Sequence, residues 1–177
     1  MRRSIVLVGM MGAGKSAVGA ELSRRLHAPL RDTDAEIERA AAMTIPEIFA
    51  RDGEAFFRAR ESEVLARVLG GTPAVVSTGG GAWMNPANRE AVARAGVSVW
   101  LNVPLPVLWH RVRQRPGRPL LRTPDPRGTM ERLLAGRAPS YALADITVPV
   151  GAGDSVEDTT LRVLDALRDR HPDLLEP

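Results

Sequence analysis

At 177 residues, with 44% hydrophobic and 25% charged residues, the chain has the make-up of one globular domain large enough for a sizeable core. It contains no cysteine, which excludes disulfides, thiol catalysis and cysteine metal sites, and His27, His110 and His171 are too far apart for zinc-ligand spacing. The net charge is a modest +3, and no apolar run approaches the length of a membrane span.

The first predicted element is a buried parallel strand, Ile5-Val6-Leu7-Val8. Met1-Arg2-Arg3 before it faintly imitates the start of a signal peptide, but Lys15 interrupts that pattern. Gly9 to Ser16 reads Gly-Met-Met-Gly-Ala-Gly-Lys-Ser, the G-x-x-x-x-G-K-[ST] pattern of a phosphate-binding P-loop. Val18, Leu22 and Leu26 then recur at a spacing of four, the inward face of a helix. Strand, glycine loop and helix N-terminus in that order make an anion site, because backbone N–H groups converge where the helix dipole favours negative charge. Nucleotide contacts are expected at Gly12, Ala13, Gly14, Lys15, Ser16 and Ala17, with Lys15 against the β- and γ-phosphates and the Ser16 hydroxyl on Mg²⁺. Of 24 basic residues Lys15 is the only lysine, which singles out the position where a compact, flexible point charge suits a phosphate.

Residues 29–32 form a short second strand ending on Asp32-Thr33-Asp34. Alternate residues of an extended segment share a face, so Asp32 and Asp34 can both serve one site, one near Mg²⁺ and one toward an acceptor hydroxyl. Helix N-capping is the competing role for either carboxylate. A helix follows over 34–42, anchored by Ile37, and Thr44 caps a short helix with Pro46 and Glu47 in its first turn. Gly53 breaks the pattern before a helix over 54–69 whose inward residues are Phe57, Val64, Leu65 and Val68. On that helix Arg58 lies three residues before Glu61, a pair that is either surface decoration or a guanidinium held ready for a carboxylate-bearing acceptor.

A third strand, 74–77, runs into Gly79-Gly80-Gly81. Three consecutive glycines fit a backbone that something must approach closely, here an acceptor or the γ-phosphate, and Ser77 just before them could hold a magnesium-bound water. A plain flexible turn is the other reading. Next come a helix over 86–95 entered from Asn85, a fourth strand over 97–103, and a helix from Pro104 to about residue 113. Residues 111–137 carry eight arginines against Asp125 and Glu131 but no aromatic residue, so a mobile lid over a triphosphate suits the segment better than a nucleic-acid patch. Within it 114–128 is read as loop and 130–137 as helix, with Arg137 a candidate second arm beside Arg58. The fifth strand, 146–150, contains Pro149 and belongs at a sheet edge. Ser155 to Asp158 has the spacing of a capping box for a last helix ending near residue 170, and 171–177 is expected to fray. Alternating strands and helices imply an α/β fold, a parallel sheet flanked by helices on both faces that binds ligands at the C-terminal strand ends.

The ordered set of motifs resembles shikimate kinase over residues 1–170. The matching pieces are Gly9 to Ser16, Asp32-Thr33-Asp34, Gly53-Glu54-x-x-Phe57-Arg58 with Glu61, Gly79-Gly80-Gly81, Arg118-Pro119-Leu120-Leu121, and Arg137-x-Pro139-x-Tyr141-x-x-Ala144-Asp145. The resemblance implies a nucleoside-monophosphate-kinase-like P-loop fold with a five-stranded parallel sheet, a single domain over 1–170 with a lid at about 112–128, and a tail over 171–177. It implies ATP-dependent phosphorylation of the 3-hydroxyl of shikimate, a step of aromatic amino-acid biosynthesis, with ATP and Mg²⁺ required. It places Asp34 on the acceptor hydroxyls, Arg58 and Arg137 on the acceptor carboxylate, and Gly79, Gly80 and Gly81 along the acceptor site. Ser16 and Asp32 serve Mg²⁺, Arg111 stacks on adenine, Arg118 reaches from the lid to the transferring phosphate, and Phe49 and Phe57 wall the acceptor pocket. Lys15, Asp34 and Arg118 are then the catalytic set, and the loop 151–154 should meet adenine. Trp83 has no counterpart expectation.

A GTPase is excluded because its Asn-Lys-x-Asp motif needs a second lysine, and Asp125-Pro-Arg-Gly128 mimics a switch motif without a strand before it. The nearest rival is another small-metabolite kinase of the same fold, such as a gluconate kinase. The expected partners are small molecules only, with no nucleic acid and no membrane, for a cytoplasmic monomer.

Overall fold

The structure is a computed structural model that describes residues 1–113, 115 and 119–174. A five-stranded, wholly parallel sheet has the order β2-β3-β1-β4-β5, with β1 at Ser4–Val8, β2 at Leu30–Asp32, β3 at Val75–Ser77, β4 at Gly96–Asn102 and β5 at Ile146–Pro149. β1 pairs on one side with β3 (Ile5 opposite Val75) and on the other with β4 (Ile5 opposite Val97). All five residues of β1 are buried, as its unbroken apolar run requires of a central strand covered on both faces. Proline at the end of β5 is tolerated because the strand is at an edge, as the sequence suggests.

Helices α1 (Lys15–Leu26), α2 (Thr33–Ala41), α3 (Ile45–Leu69), α4 (Pro86–Ala95), α5 (Leu105–Val112), α6 (Pro126–Tyr141) and α7 (Val156–Arg170) complete the described fold. α1 packs with α7, α3 with α2 and α4, and α5 with α6. The main core surrounds β1 and β4, while Ile37, Ile48, Phe57 and Val64 form a separate apolar cluster between α2 and α3. The predicted Ser155–Asp158 capping box is present, and the predicted Thr44 cap is also a capping box, closed by Glu47.

α3 is two helical stretches meeting at a kink at Gly53, as the sequence reading expects, where φ of 83° and ψ of 172° are open to glycine and strained for other residues. Two features differ from the sequence reading. α6 begins at Pro126 rather than near 130 and continues to Tyr141 rather than 137. Asp125 caps it by accepting from the Gly128 N–H at 3.0 Å, so the switch-like motif is a helix N-cap. Residues 171–174 are ordered: Pro172–Leu174 is a 3₁₀ turn, Leu174 is 1% exposed in the main core, and its carbonyl accepts from the Arg2 N–H at 3.2 Å. Burying one leucine is worth about 1.5–3 kcal/mol, enough to anchor a segment too short to carry a periodic signal.

Candidate active site

The loop after β1 wraps the N-terminus of α1, where Gly14 takes φ 93° as the residue that turns the chain into the helix. Gly12, Ala13, Gly14, Lys15, Ser16 and Ala17 all line a cleft of about 450 Å³. Lys15 is buried, and its Nζ donates to the Gly9 and Met10 carbonyls, both at 2.8 Å, which holds the ammonium within the loop. Ser16 Oγ donates to Asp32 Oδ2 at 2.8 Å and lies 3.3 Å from Ser77 Oγ. The other Asp32 oxygen, Oδ1, accepts from the Asp34 and Ala35 N–H groups. Asp32 therefore caps α2 with one oxygen, the competing role weighed in the sequence, and accepts from Ser16 with the other. Ser16, Asp32 and Ser77 together form a compact set of hard oxygen donors.

Arg111 also lines the cleft and donates from Nη1 to the Gly12 carbonyl at 3.2 Å. Val150, Asp154, Ser155 and Val156 line it as well, so Asp154 of the loop expected to meet adenine borders the same cleft. Asp154 pairs with Arg162 and accepts from the Gly151 N–H, and these partners, Arg162 foremost, hold its carboxyl below the usual range.

A second cavity of about 240 Å³ adjoins the first and shares Met11, Asp34, Gly79 and Gly80 with it. Arg58, Glu61, Gly81, Arg137, Phe49 and Phe57 line it as well. The Phe49 and Phe57 rings lie 4.8 Å apart and continue the apolar cluster between α2 and α3, and the Arg58 guanidinium sits over the Phe57 ring. Arg58 Nη1 donates to Glu61 Oε2 at 2.8 Å. Glu61 is only 1% exposed, so this pair is not surface decoration. Burial, the largest influence, pushes the Glu61 carboxyl up against the opposing pull of Arg58. Arg137 is also buried, and its Nη1 has no hydrogen-bond partner among the described residues.

The triple glycine explains how these groups converge. A Cβ on Gly79 would stand 2.7 Å from Glu61 Oε1 and 2.8 Å from Asp34 Oδ1, and one on Gly81 would collide with the Arg58 guanidinium. A Cβ on Gly80 would come within 3.2 Å of Arg137 Nη1. The sequence reading expected the close approach to come from a ligand; the protein's own charged side chains already occupy that space.

The structure thus brings Gly12, Ala13, Gly14, Lys15, Ser16, Ala17, Asp32 and Arg111 to the larger cavity and Arg58, Gly81 and Arg137 to the smaller one, with Asp34, Gly79 and Gly80 at their junction. Arg118 lies outside the described residues. Sequence reasoning left Glu61 and Tyr141 without a site role, although Glu61 was legible as the partner of Arg58 one helical turn away. Tyr141 is fully buried, its hydroxyl donates to the Gly80 carbonyl, and burial pushes its phenol up to about 12. Trp83, without expectation from sequence, is also buried and donates from Nε1 to the Ser140 carbonyl at 2.8 Å, tying the segment after the glycines to α6.

Comparison with known proteins agrees with this arrangement. The family model described as shikimate kinase matches residues 11–168. The chain is 58% identical to a shikimate kinase of Cereibacter sphaeroides over 99% of its own length and 87% of that protein's. It is 55% identical to one of Ruegeria pomeroyi, over 99% and 90%. Among solved structures, the shikimate kinase of Acinetobacter baumannii in complex with shikimate superposes with a TM-score of 0.91 at 35% identity, covering 96% of this chain and 94% of that one. A gluconokinase from Sinorhizobium meliloti reaches a TM-score of 0.64 at 19% identity, over 98% and 95%, a likeness of fold alone. With the family model spanning most of the chain and relatives above half identity covering nearly all of it, the chain belongs to the shikimate kinase family.

Proposed function

We propose that the chain transfers the γ-phosphoryl group of ATP to the 3-hydroxyl of shikimate, giving shikimate 3-phosphate. The observation that carries this reading is the pairing of a phosphate-binding loop with an adjoining cavity lined by two guanidinium groups, Arg58 and Arg137, and by the Asp34 carboxylate. Two forked donors suit the carboxylate of an organic acid, and a carboxylate at the cavity junction suits its hydroxyl. The shikimate bound to the Acinetobacter baumannii kinase supports the same acceptor.

In this reading the backbone from Gly12 to Ala17 cradles the phosphates, Lys15 turns from the loop carbonyls to the β- and γ-phosphates, and Arg111 stacks on adenine. Asp34 orients or deprotonates the attacking hydroxyl, while Gly79, Gly80 and Gly81 bring the acceptor close to the backbone. Arg118 reaches the transferring phosphate from a lid. Ser16 and Asp32 fit Mg²⁺, which takes one or two carboxylates together with phosphate oxygens and waters, and the ion would neutralise phosphate charge when bound. The reading is of a monomer acting on small molecules, without nucleic acid or membrane. No described helix is long and apolar enough to cross a membrane, and a cytoplasmic location goes with the reading.

A coupled ADP-release assay over a panel of hydroxy acids and sugars tests the proposal. Shikimate should give turnover and gluconate none; comparable turnover of gluconate would overturn the acceptor. Lys15→Ala should lose on the order of 10²–10⁵ in turnover with the fold intact. Activity within a factor of a few of the parent would remove Lys15 from the mechanism.

A further inference from the structure

Gly80 is the residue at which the two cavities, the P-loop and the arginine clamp meet. It lines both cavities, and a Cβ placed on it would be 3.2 Å from Arg137 Nη1, 3.4 Å from the Met11 nitrogen and 3.5 Å from the Gly9 carbonyl oxygen. Its own carbonyl is held from the interior by the Tyr141 hydroxyl at 2.5 Å. Tyr141 has no exposed surface, and its ring stacks on Trp100 with centroids 5.8 Å apart. Trp100 in turn lies against Gly9, where an added Cβ would be 3.4 Å from its Cδ1. The phenol is therefore fixed by packing on the central sheet; the Arg137 guanidinium also bears on its oxygen, and burial, outweighing that arginine, keeps it a donor across the neutral range.

The Gly80–Gly81 peptide is trans, so the Gly80 C=O and the Gly81 N–H point in opposite directions. Glycines on both sides leave that peptide free to turn over, since neither residue has a Cβ to bar the alternative φ and ψ. Turned over, it would aim a carbonyl, rather than an N–H, at a cavity built to receive an acid. We propose that Tyr141 is a positioning residue: its hydroxyl locks the Gly80–Gly81 peptide with the Gly81 N–H presented to the acceptor carboxylate beside Arg58 and Arg137. The bond does not touch the nucleotide, so its loss should fall on acceptor binding and leave phosphoryl transfer nearly intact. This inference rests on shikimate being the acceptor.

Tyr141→Phe removes one oxygen and keeps the ring. The variant should raise the KM for shikimate about five- to tenfold, the effect of one lost hydrogen bond, with kcat and the KM for ATP within about twofold. A purely structural role would lower the melting temperature and leave that split absent, so a KM for shikimate within twofold of the parent overturns the proposal. The unmutated protein supplies a second test that needs no variant to fold. In an amide NMR titration with shikimate, the Gly81 N–H resonance should move with saturation, and a Gly81 resonance unmoved at saturation overturns it equally. If the parent protein fails to turn over shikimate at all, the acceptor assignment falls; if the parent turns over and either test fails, only the role of Tyr141 does.

Discussion

Arg58 reaches Glu61 at 2.8 Å, and with the carboxylate almost wholly out of solvent the pair is held by burial as much as by charge. Its two consequences for pH have opposite signs. Because the folded Glu61 pKa is raised, its contribution to stability is present below the unfolded carboxylate value and is lost as pH rises through the folded one. Acceptor binding runs the other way: as pH falls through the raised value Glu61 protonates, Arg58 loses its buried anionic partner and keeps only the longer contact with exposed Glu54, and the KM for shikimate should climb earlier than an ordinary carboxylate would dictate. Glu61→Gln should flatten both slopes, seen in unfolding and in KM across the acidic range, while raising KM about tenfold, ~1.4 kcal/mol. Gly81→Ala tests the neighbouring contact. The added methyl meets the movable end of Arg58, so the protein should melt within a few degrees of the parent while shikimate KM rises by an order of magnitude or more. At this scale the arginines, Asp34 and the glycines were legible because their residue types announce a chemistry. The role of Tyr141 was not, since the motif that contains it does not say what its hydroxyl meets, and that partner, Gly80, lies 61 residues away.

Gly53 divides α3 into a capped first segment and the stretch that carries Phe57, Arg58 and Glu61, and the turn in direction sends those side chains toward the glycine-rich end of β3. A Cβ there would meet nothing within 4 Å, so substitution is felt only through the backbone. Gly53→Ala should therefore destabilise the protein by about 1–3 kcal/mol in urea unfolding through strain alone. If the helix straightens to relieve that strain, shikimate KM should rise while nucleotide affinity stays level. The break at Gly53 was readable from sequence, as were the strands of the sheet, because glycine conformation and apolar runs are local signals. The extent of α6 was not. Pro139 forfeits one helical hydrogen bond, which argues for stopping at 137, but Met130 and Tyr141 are fully buried on the same helix and carry it past the proline. Leu174 likewise is held by Arg2, ahead of β1 and far away in sequence, a tertiary fact that a short tail cannot advertise.

Across the whole molecule, the sheet order puts β1 between β3 and β4, so the P-loop leaves the sheet beside the strand that ends in the triple glycine. The two cavities therefore meet at one junction, sharing Met11, Asp34, Gly79 and Gly80 among the described residues. Lys15 lines the first alone and Arg58 the second alone. A ligand that binds only the folded state adds about 2.7 kcal/mol of stability at a hundredfold excess over Kd, which a thermal melt resolves. If the two halves are separable, Lys15→Ala should abolish stabilisation by ADP and keep that by shikimate, and Arg58→Ala should do the reverse. Loss of both responses in either variant would mean that the junction, rather than the outer residues, governs binding of both ligands. The separable outcome follows from the placement of the two groups: Lys15 on α1 lines one cavity and Arg58 on α3 the other, and the backbone at their junction is held by Tyr141 at Gly80 and by Thr33 at Gly79.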